Sequence, residues 1–377
     1  MRVLITNNTL AERAGTELYV RDLARSLLAR GHTPMCYSSR LGAVAEELRR
    51  ATIPVVDDIA ELPFQPDIIH GQHHLDAMAA LLSLPGVPAI YFCHGWMPWE
   101  EMAPKFPRIL RYVAVDEVCR ERLLIEQKIP ESQVRLMLNF VDLKRFLPRE
   151  PLPSKPKTAM VFSNYAMETT YIAAVRAACT RFKIKLDVVG SNNGTATDAP
   201  EKILAGYDLV FAKARSALEA MAVGCAVVLC DAVGCGPLVL PENFDRLRPL
   251  NFGVRTLSQP VTEENLAAEI ARYNSASVAP VQARVRAEAD LEHTTDKLVK
   301  LYEEVVAEFR KMPPSDALTE FRATGAYLQS LSPIAKRALN AVTVVQVPVA
   351  PPPPPPAPRK PAPPPFAVPQ PLTPRKR

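Results

Sequence analysis

A chain of 377 residues is long enough for two or more domains of ordinary size. Aliphatic, aromatic and sulfur residues make up 48% and charged residues 23%, which excludes a wholly disordered or fibrous protein. The excess of 45 basic over 40 acidic residues lies in 348–377, where Arg359, Lys360, Arg375, Lys376 and Arg377 stand without an acid, so the remainder is neutral and carries no nucleic-acid footprint.

Along the chain, short apolar runs alternate with amphipathic stretches of helical period. Strands are predicted over 3–6, 34–38, 54–56, 67–70, 88–93, 112–115 and 134–138. A helix over 16–30 carries Leu18, Val20, Leu23, Leu27 and Leu28, and Gly31 stops it. Residues 77–93 have no formal charge, but Pro85-Gly86-Val87-Pro88 divides them into helix, turn and buried strand rather than a membrane span. Prolines 148, 151, 153 and 156 mark a linker. A second alternating series follows: strand 158–162, helix 167–181, strands 184–189 and 207–211, helix 215–223 and strand 226–230. Beyond about 262 only helical signals remain, notably 294–311 and 316–339. Six consecutive prolines at 351–356 then favour polyproline II and disorder. Strands alternating with helices mean parallel sheets. The expected fold is α/β, two Rossmann-like doubly wound domains facing across a cleft.

Seven cysteines, with Cys93, Cys225 and Cys230 in apolar runs, imply free buried thiols rather than disulfides. The first residues lack the length and cleavage site of a signal peptide, so a cytoplasmic protein is expected.

In doubly wound sheets, chemistry gathers at loops after strands. Gly15 and Thr16 follow the first strand and open a helix, whose free first-turn amides favour an anion; a plain capped loop is the simpler reading. His70, His73 and His74 lie within five positions, yet no ligand spacing completes a zinc site, and no metal is expected. His94, followed by Gly95 at a strand end, is the better candidate. The run 207–228 reads as strand, basic loop with Lys213 and Arg215, helix and glycine stop. Glu219 sits there beside Leu218 and Met221, where an unpaired carboxylate is costly and a donor should face it.

Several motifs occur in order: Gly15-Thr16-Glu17 before a helix ending Arg30-Gly31-His32, Asp67-Ile68-Ile69-His70, and the strand ending at His94. They continue with Leu138-Asn139-Phe140-Val141-Asp142, Arg145-Phe146, and Leu218-Glu219-Ala220-Met221-Ala222-Val223-Gly224. Together, over about residues 1–310, they resemble a GT-B-type, family-4-like glycosyltransferase, a retaining, nucleotide-sugar-dependent enzyme. The resemblance implies an acceptor-side domain at 1–147, a linker at 148–157 and a nucleotide-sugar domain at 158–290. Helices at 291–340 would pack on both domains, ahead of a disordered proline-rich tail at 341–377. It implies that Glu219 accepts from the ribose hydroxyls, that the amides near Ser216 meet the diphosphate, and that His94, Gly15 and Thr16 lie at the reacting sugar. Gly234 and Gly236 would line the diphosphate or base pocket. It implies retention without a bound metal, and no cofactor besides the nucleotide-sugar co-substrate.

Three departures stand out. Phe211 occupies the first position of the family's Glu-x7-Glu pattern. The usual Arg and Lys are missing from 163–168. The segment 190–207 is too short for a further strand–helix unit. Lys213 and Arg215 are expected to supply the missing cations at the diphosphate. Two other readings remain open: a nucleotide-sugar epimerase, and a non-catalytic scaffold. In the scaffold the tail would dock a polyproline-binding partner or an anionic membrane surface. The acceptor, whether glycan, lipid-linked or small molecule, is not legible.

Overall fold

The computed structural model describes residues 1–313 and 316–344. The unit Met1–Tyr327 contains two parallel-sheet halves. In the first, strands β1 (Arg2–Thr6), β2 (Thr33–Tyr37), β3 (Val55–Val56), β4 (Ile68–Gln72), β5 (Ala89–Cys93), β6 (Ile109–Ala114) and β7 (Val134–Leu136) form one sheet. Its order is β3-β2-β1-β4-β5-β6-β7, parallel throughout. Helices α1 (Gly15–Ala29), α2 (Ala43–Arg50), α3 (His74–Ser83) and α4 (Glu117–Glu121) connect the strands. Strands β4 and β5 are buried along their whole length, as a sheet covered on both faces requires. Helix α1 turns Val20, Leu23, Ala24 and Leu27 into the core and stops where Gly31 takes a φ of 77°.

The second half holds β8 (Thr158–Phe162), β9 (Lys185–Val189), β10 (Leu209–Ala212), β11 (Ala226–Asp231) and β12 (Gly234–Leu238), ordered β12-β11-β10-β8-β9. Its helices are α5 (Ala173–Arg181), α6 (Pro200–Ile203), α7 (Ala214–Val223), α8 (Pro241–Leu247), α9 (Glu263–Ala271) and α10 (Ser275–Glu288). Two helices follow, α11 (Leu291–Lys311) and α12 (Ala317–Val344). The apolar face of α11, with Leu291, Leu298, Leu301, Tyr302 and Val305, returns to the core of the first half, where Ala323 and Tyr327 of α12 also pack. These contacts lie on the first half.

Two expectations change. The glycine-rich stretch after β11 forms a strand: β12 pairs antiparallel with β11 at the sheet edge. Pro237 is tolerated there because an edge strand need not donate along its outer side. The predicted disordered tail over 341–377 is overtaken at its start, where 341–344 complete α12; the remainder of that prediction lies outside the described residues. All seven cysteines are buried and unpaired. Among the described residues no helix is long and apolar enough to cross a membrane.

In both sheets the chain order of the strands reverses beside a central strand, between β1 and β4 in the first and between β8 and β10 in the second. Crevices in such sheets open at the carboxyl ends of strands flanking the reversal, so the loops after β1, β8 and β10 are where a ligand belongs.

Candidate active site

A cleft of about 480 Å³ lies at those strand ends, within the range of small-molecule sites. From the first half it is lined by Arg13, Ala14 and Gly15 after β1, Arg21 of α1, His94 after β5, and Arg145. From the second come 163–165 after β8, with Lys213, Arg215, Ser216 and Glu219 at the start of α7. Thr16 lines a smaller adjoining cavity of about 170 Å³ together with Gly15, His94 and Arg215. Of the predicted site residues, His94, Gly15, Thr16, Lys213, Arg215, Ser216 and Glu219 are therefore brought together. Gly234 and Gly236 are not. In β12 a Cβ on Gly236 would stand 2.4 Å from the Thr256 carbonyl oxygen, and one on Gly234 would stand 3.0 Å from that of Leu257. These two glycines admit a neighbouring loop, not a ligand.

The local geometry follows from chain chemistry. Ala14, in extended backbone, precedes α1, so Gly15 and Thr16 occupy its first turn and Thr16 is not the cap; its hydroxyl donates to Glu17 Oε2 at 3.1 Å. A Cβ on Gly15 would meet nothing within 4 Å. At the other helix, Ala214 has a φ of 49°, an unfavourable conformation for a residue with a Cβ, and its N–H donates to the Phe252 carbonyl at 2.8 Å. That turn brings the first residues of α7 to the cleft, where the amides of a first helical turn lack intrahelical partners. Phe211, at the position of the family's first glutamate, lies fully buried within β10 beside Val161 and Val228. No carboxylate reaches the cleft from there.

Glu219 is 5% exposed and faces the expected donor, which is Arg215. Arg215 Nε donates to Glu219 Oε1 at 2.8 Å, and its Nη2 donates to Asp22 Oδ2 on α1 of the opposite half. Asp22 Oδ1 accepts from Arg21 Nε at 2.8 Å and Nη2 at 2.6 Å, and Arg145 Nη1 stands 3.6 Å away. Arg145 also pairs with Glu201 at 2.8 Å, and Arg13 with Glu47 and Asp198. Lys213 pairs with buried Asp231 and lies 5.8 Å from the Tyr165 ring centre. Lys213 and Arg215, the cations expected at the diphosphate, are thus each paired with a carboxylate. Burial pushes the Asp22 carboxyl up, but Arg215, Arg21 and Arg145 outweigh it and hold the group below its usual range. Burial raises Glu219, and Arg215 only partly offsets that.

Burial, with His73 and His70 nearby, drives His94 well below an ordinary imidazole, so the ring is neutral at physiological pH. Its Nε2 is buried without a hydrogen-bond partner among the described residues, and Tyr19 meets the ring edge-on at 4.6 Å. Its backbone N–H donates to Glu101 Oε2 at 2.9 Å, while Glu101 Oε1 lies 3.5 Å from His73 Nε2. His70 Nδ1 stands 2.6 Å from the Tyr302 hydroxyl and His74 Nδ1 stands 2.7 Å from that of Tyr327. Among the described residues no group of His, Cys, Asp and Glu is arranged to hold a metal.

Sequence reasoning missed Asp22, Arg13 and Arg21. For Asp22 and Arg21 the only signal is charge on α1 positions that the apolar period turns inward, where an unpaired charge is not tolerated; Arg13 stands in the loop before α1 and carries no such signal.

Residues 13–145 match the glycosyltransferase family 4 model. The match covers about a third of the chain, within the first half, and the fold as a whole is that of GT-B-type proteins. The fold is shared by a glycosyltransferase from Rickettsia africae at a TM-score of 0.60 and 15% identity, over 81% of this chain and 98% of that one. Anabaena HepE, solved in complex with UDP and glucose, aligns at 0.59 and 15%, over 80% and 99%. Sucrose-phosphate synthase from Thermosynechococcus elongatus aligns at 0.56 and 14%, over 81% and 99%. Among curated protein sequences none matches the chain.

Proposed function

We propose that the enzyme transfers a sugar from a nucleotide-sugar bound in this cleft to an acceptor approaching over the first half. The observation that carries the reading is one cleft lined by Glu219 and the start of α7 on one side and by His94 on the other. Glu219 Oε2 and Arg215 Nη1 have no hydrogen-bond partner among the described residues, so a ribose hydroxyl and a phosphate oxygen each find a complementary atom. The first-turn amides of α7 add an anion site beside them. Neutral His94 suits a hydrogen bond to a hydroxyl of the transferred sugar rather than neutralisation of the leaving group. That charge falls to the cations lining the cleft, Arg13, Arg21, Arg145, Lys213 and Arg215. Retention at the anomeric carbon follows the family resemblance. HepE, which shares the fold, is described with UDP and with UDP-glucose, so UDP-sugars head the donors to be tested.

The test is a thermal-shift titration of the full chain with UDP, GDP, ADP, CDP and dTDP and their sugar conjugates. One of these at a hundredfold excess over its Kd is expected to stabilise the fold by about 2.7 kcal/mol. Glu219→Gln should bind the same ligand about tenfold more weakly, because an amide replaces a charged acceptor. No shift with any member of the panel, or full affinity in Glu219→Gln, removes the reading. Transfer to acceptor is further expected to persist in excess EDTA, since the chain's own cations meet the leaving group; abolition by EDTA would contradict that part.

A further inference from the structure

We infer that Asp22, a residue of the first half, is a positioning residue for Arg215 of the second, so that the diphosphate site is complete only while the two halves stand together. The inference rests on the donor-cleft reading above and adds to it a coupling between cleft closure and donor recognition.

Asp22 is 3% exposed, and both its oxygens are used: Oδ1 by Arg21, Oδ2 by Arg215. The link to Arg215 spans 193 positions of sequence and joins α1 to α7. A guanidinium is planar, and here two of its three nitrogens are fixed, Nε by Glu219 and Nη2 by Asp22. The plane can then no longer turn, and Nη1, which has no hydrogen-bond partner among the described residues, keeps one direction in the cleft that Arg215 lines. Arg21 does not need Asp22 alone, since it also reaches Glu47 Oε2 at 3.4 Å. Among the described residues Arg215 has no other hydrogen-bond or ion-pair anchor on the first half. When the halves separate, it keeps only the carboxylate four residues along its own helix, and its side chain regains the rotamer freedom that costs affinity when a ligand must order it. Without the Asp22 charge, Arg21, Arg145 and Arg215 also converge on a site with no anion between them.

A double-mutant cycle decides the point. Affinity is measured calorimetrically for whichever of UDP, GDP, ADP, CDP and dTDP binds the wild-type chain best, using Asp22→Asn, Arg215→Gln and the double variant. Each single change is expected to weaken binding about tenfold, because each removes a charge-assisted contact to the same guanidinium or the guanidinium itself. The double variant should bind no more weakly than Arg215→Gln. Asp22→Glu preserves the charge while displacing the carboxylate by one methylene. It should weaken binding severalfold when Arg215 is present and not in the Arg215→Gln background. Losses that multiply in the double variant, or wild-type affinity in Asp22→Asn and Asp22→Glu, overturn the inference and leave the donor site standing. Wild-type affinity in Arg215→Gln, or a chain that binds none of the five nucleotides, overturns the donor-site reading itself and the inference with it.

Discussion

Between pH 8 and pH 4 the order of stability of wild type and His70→Phe is expected to invert. His70 is fully buried, stacked on Phe92 with centroids 4.3 Å apart, and burial pushes its imidazole down to about 3. In the unfolded chain the same group takes a proton below about pH 6.5. Within that window unfolding binds one proton more than the native state, so stability falls as pH drops, by about 1.4 kcal/mol per unit for this one group. Above the window the contribution is full and flat. Phenylalanine preserves the stack but strands the Tyr302 hydroxyl, now 2.6 Å from Nδ1, at a cost of about 1–3 kcal/mol that does not vary with pH. The variant is therefore less stable at pH 8, and the penalty is overtaken on the way to pH 4. Urea unfolding at four pH values measures the crossing; parallel stability profiles would show that His70 is not held neutral. The same burial governs His73 and His74, each pushed down to about 4, and places His94 over a floor of uncharged rings. Glu101 behaves with the opposite sign. Burial raises it to about 7, so its folded carboxyl holds a proton that the unfolded chain has lost, and its contribution weakens as pH rises from about 4.5 to 7.

Much of the layered architecture was legible because period and punctuation are local. Alternating apolar runs and helical stretches place eleven of the twelve strands among the described residues, and prolines 148–156 fall between Leu136 and Thr158, the end of one sheet and the start of the next. β12 was not legible, since Gly234-Cys235-Gly236-Pro237 has the composition of a turn and becomes a strand by pairing with β11, with the 256–259 backbone close against it. The destination of α11 was equally hidden. Leu298, Leu301, Tyr302 and Val305 announce an apolar face, but nothing local says which sheet receives it. Within the site, the apolar neighbours of Glu219 correctly demanded a donor, and Arg215 stands four positions earlier on the same helix. The third member, Asp22, is a tertiary fact. A carboxylate 193 residues away becomes its neighbour only after both halves have folded and met.

Gly190→Ala is expected to lose about 3 kcal/mol of stability and most of the nucleotide affinity, whereas Gly206→Ala should be near neutral. Sequence treats the two glycines alike, since each stands at the edge of an apolar run. In the fold they differ completely. Gly190 follows β9 in extended backbone, at φ 171° and ψ 159°, which any residue adopts, so conformation is not what restricts it. Space is: a Cβ there would stand 1.9 Å from the Ser163 carbonyl oxygen and 2.7 Å from its carbon. Both partners are backbone, so no side chain can swing aside, and the loop after β8 must move. That loop is tied to the same place by Ser163 N–H to the Val189 carbonyl at 3.1 Å and by Asn192 N–H to the Asn164 carbonyl at 3.1 Å. Ser163, Asn164 and Tyr165 line the cleft, so their displacement withdraws one wall from the donor. A Cβ on Gly206 meets nothing within 4 Å, and its φ is not in the left-handed region, so alanine there adds a methyl to open space. Denaturant midpoints for the two variants, with nucleotide titrations on each, measure both effects. Equal stability of the pair would mean that β8 and β9 do not meet as closely as the fold requires, and unchanged affinity in Gly190→Ala would remove 163–165 from the donor's wall.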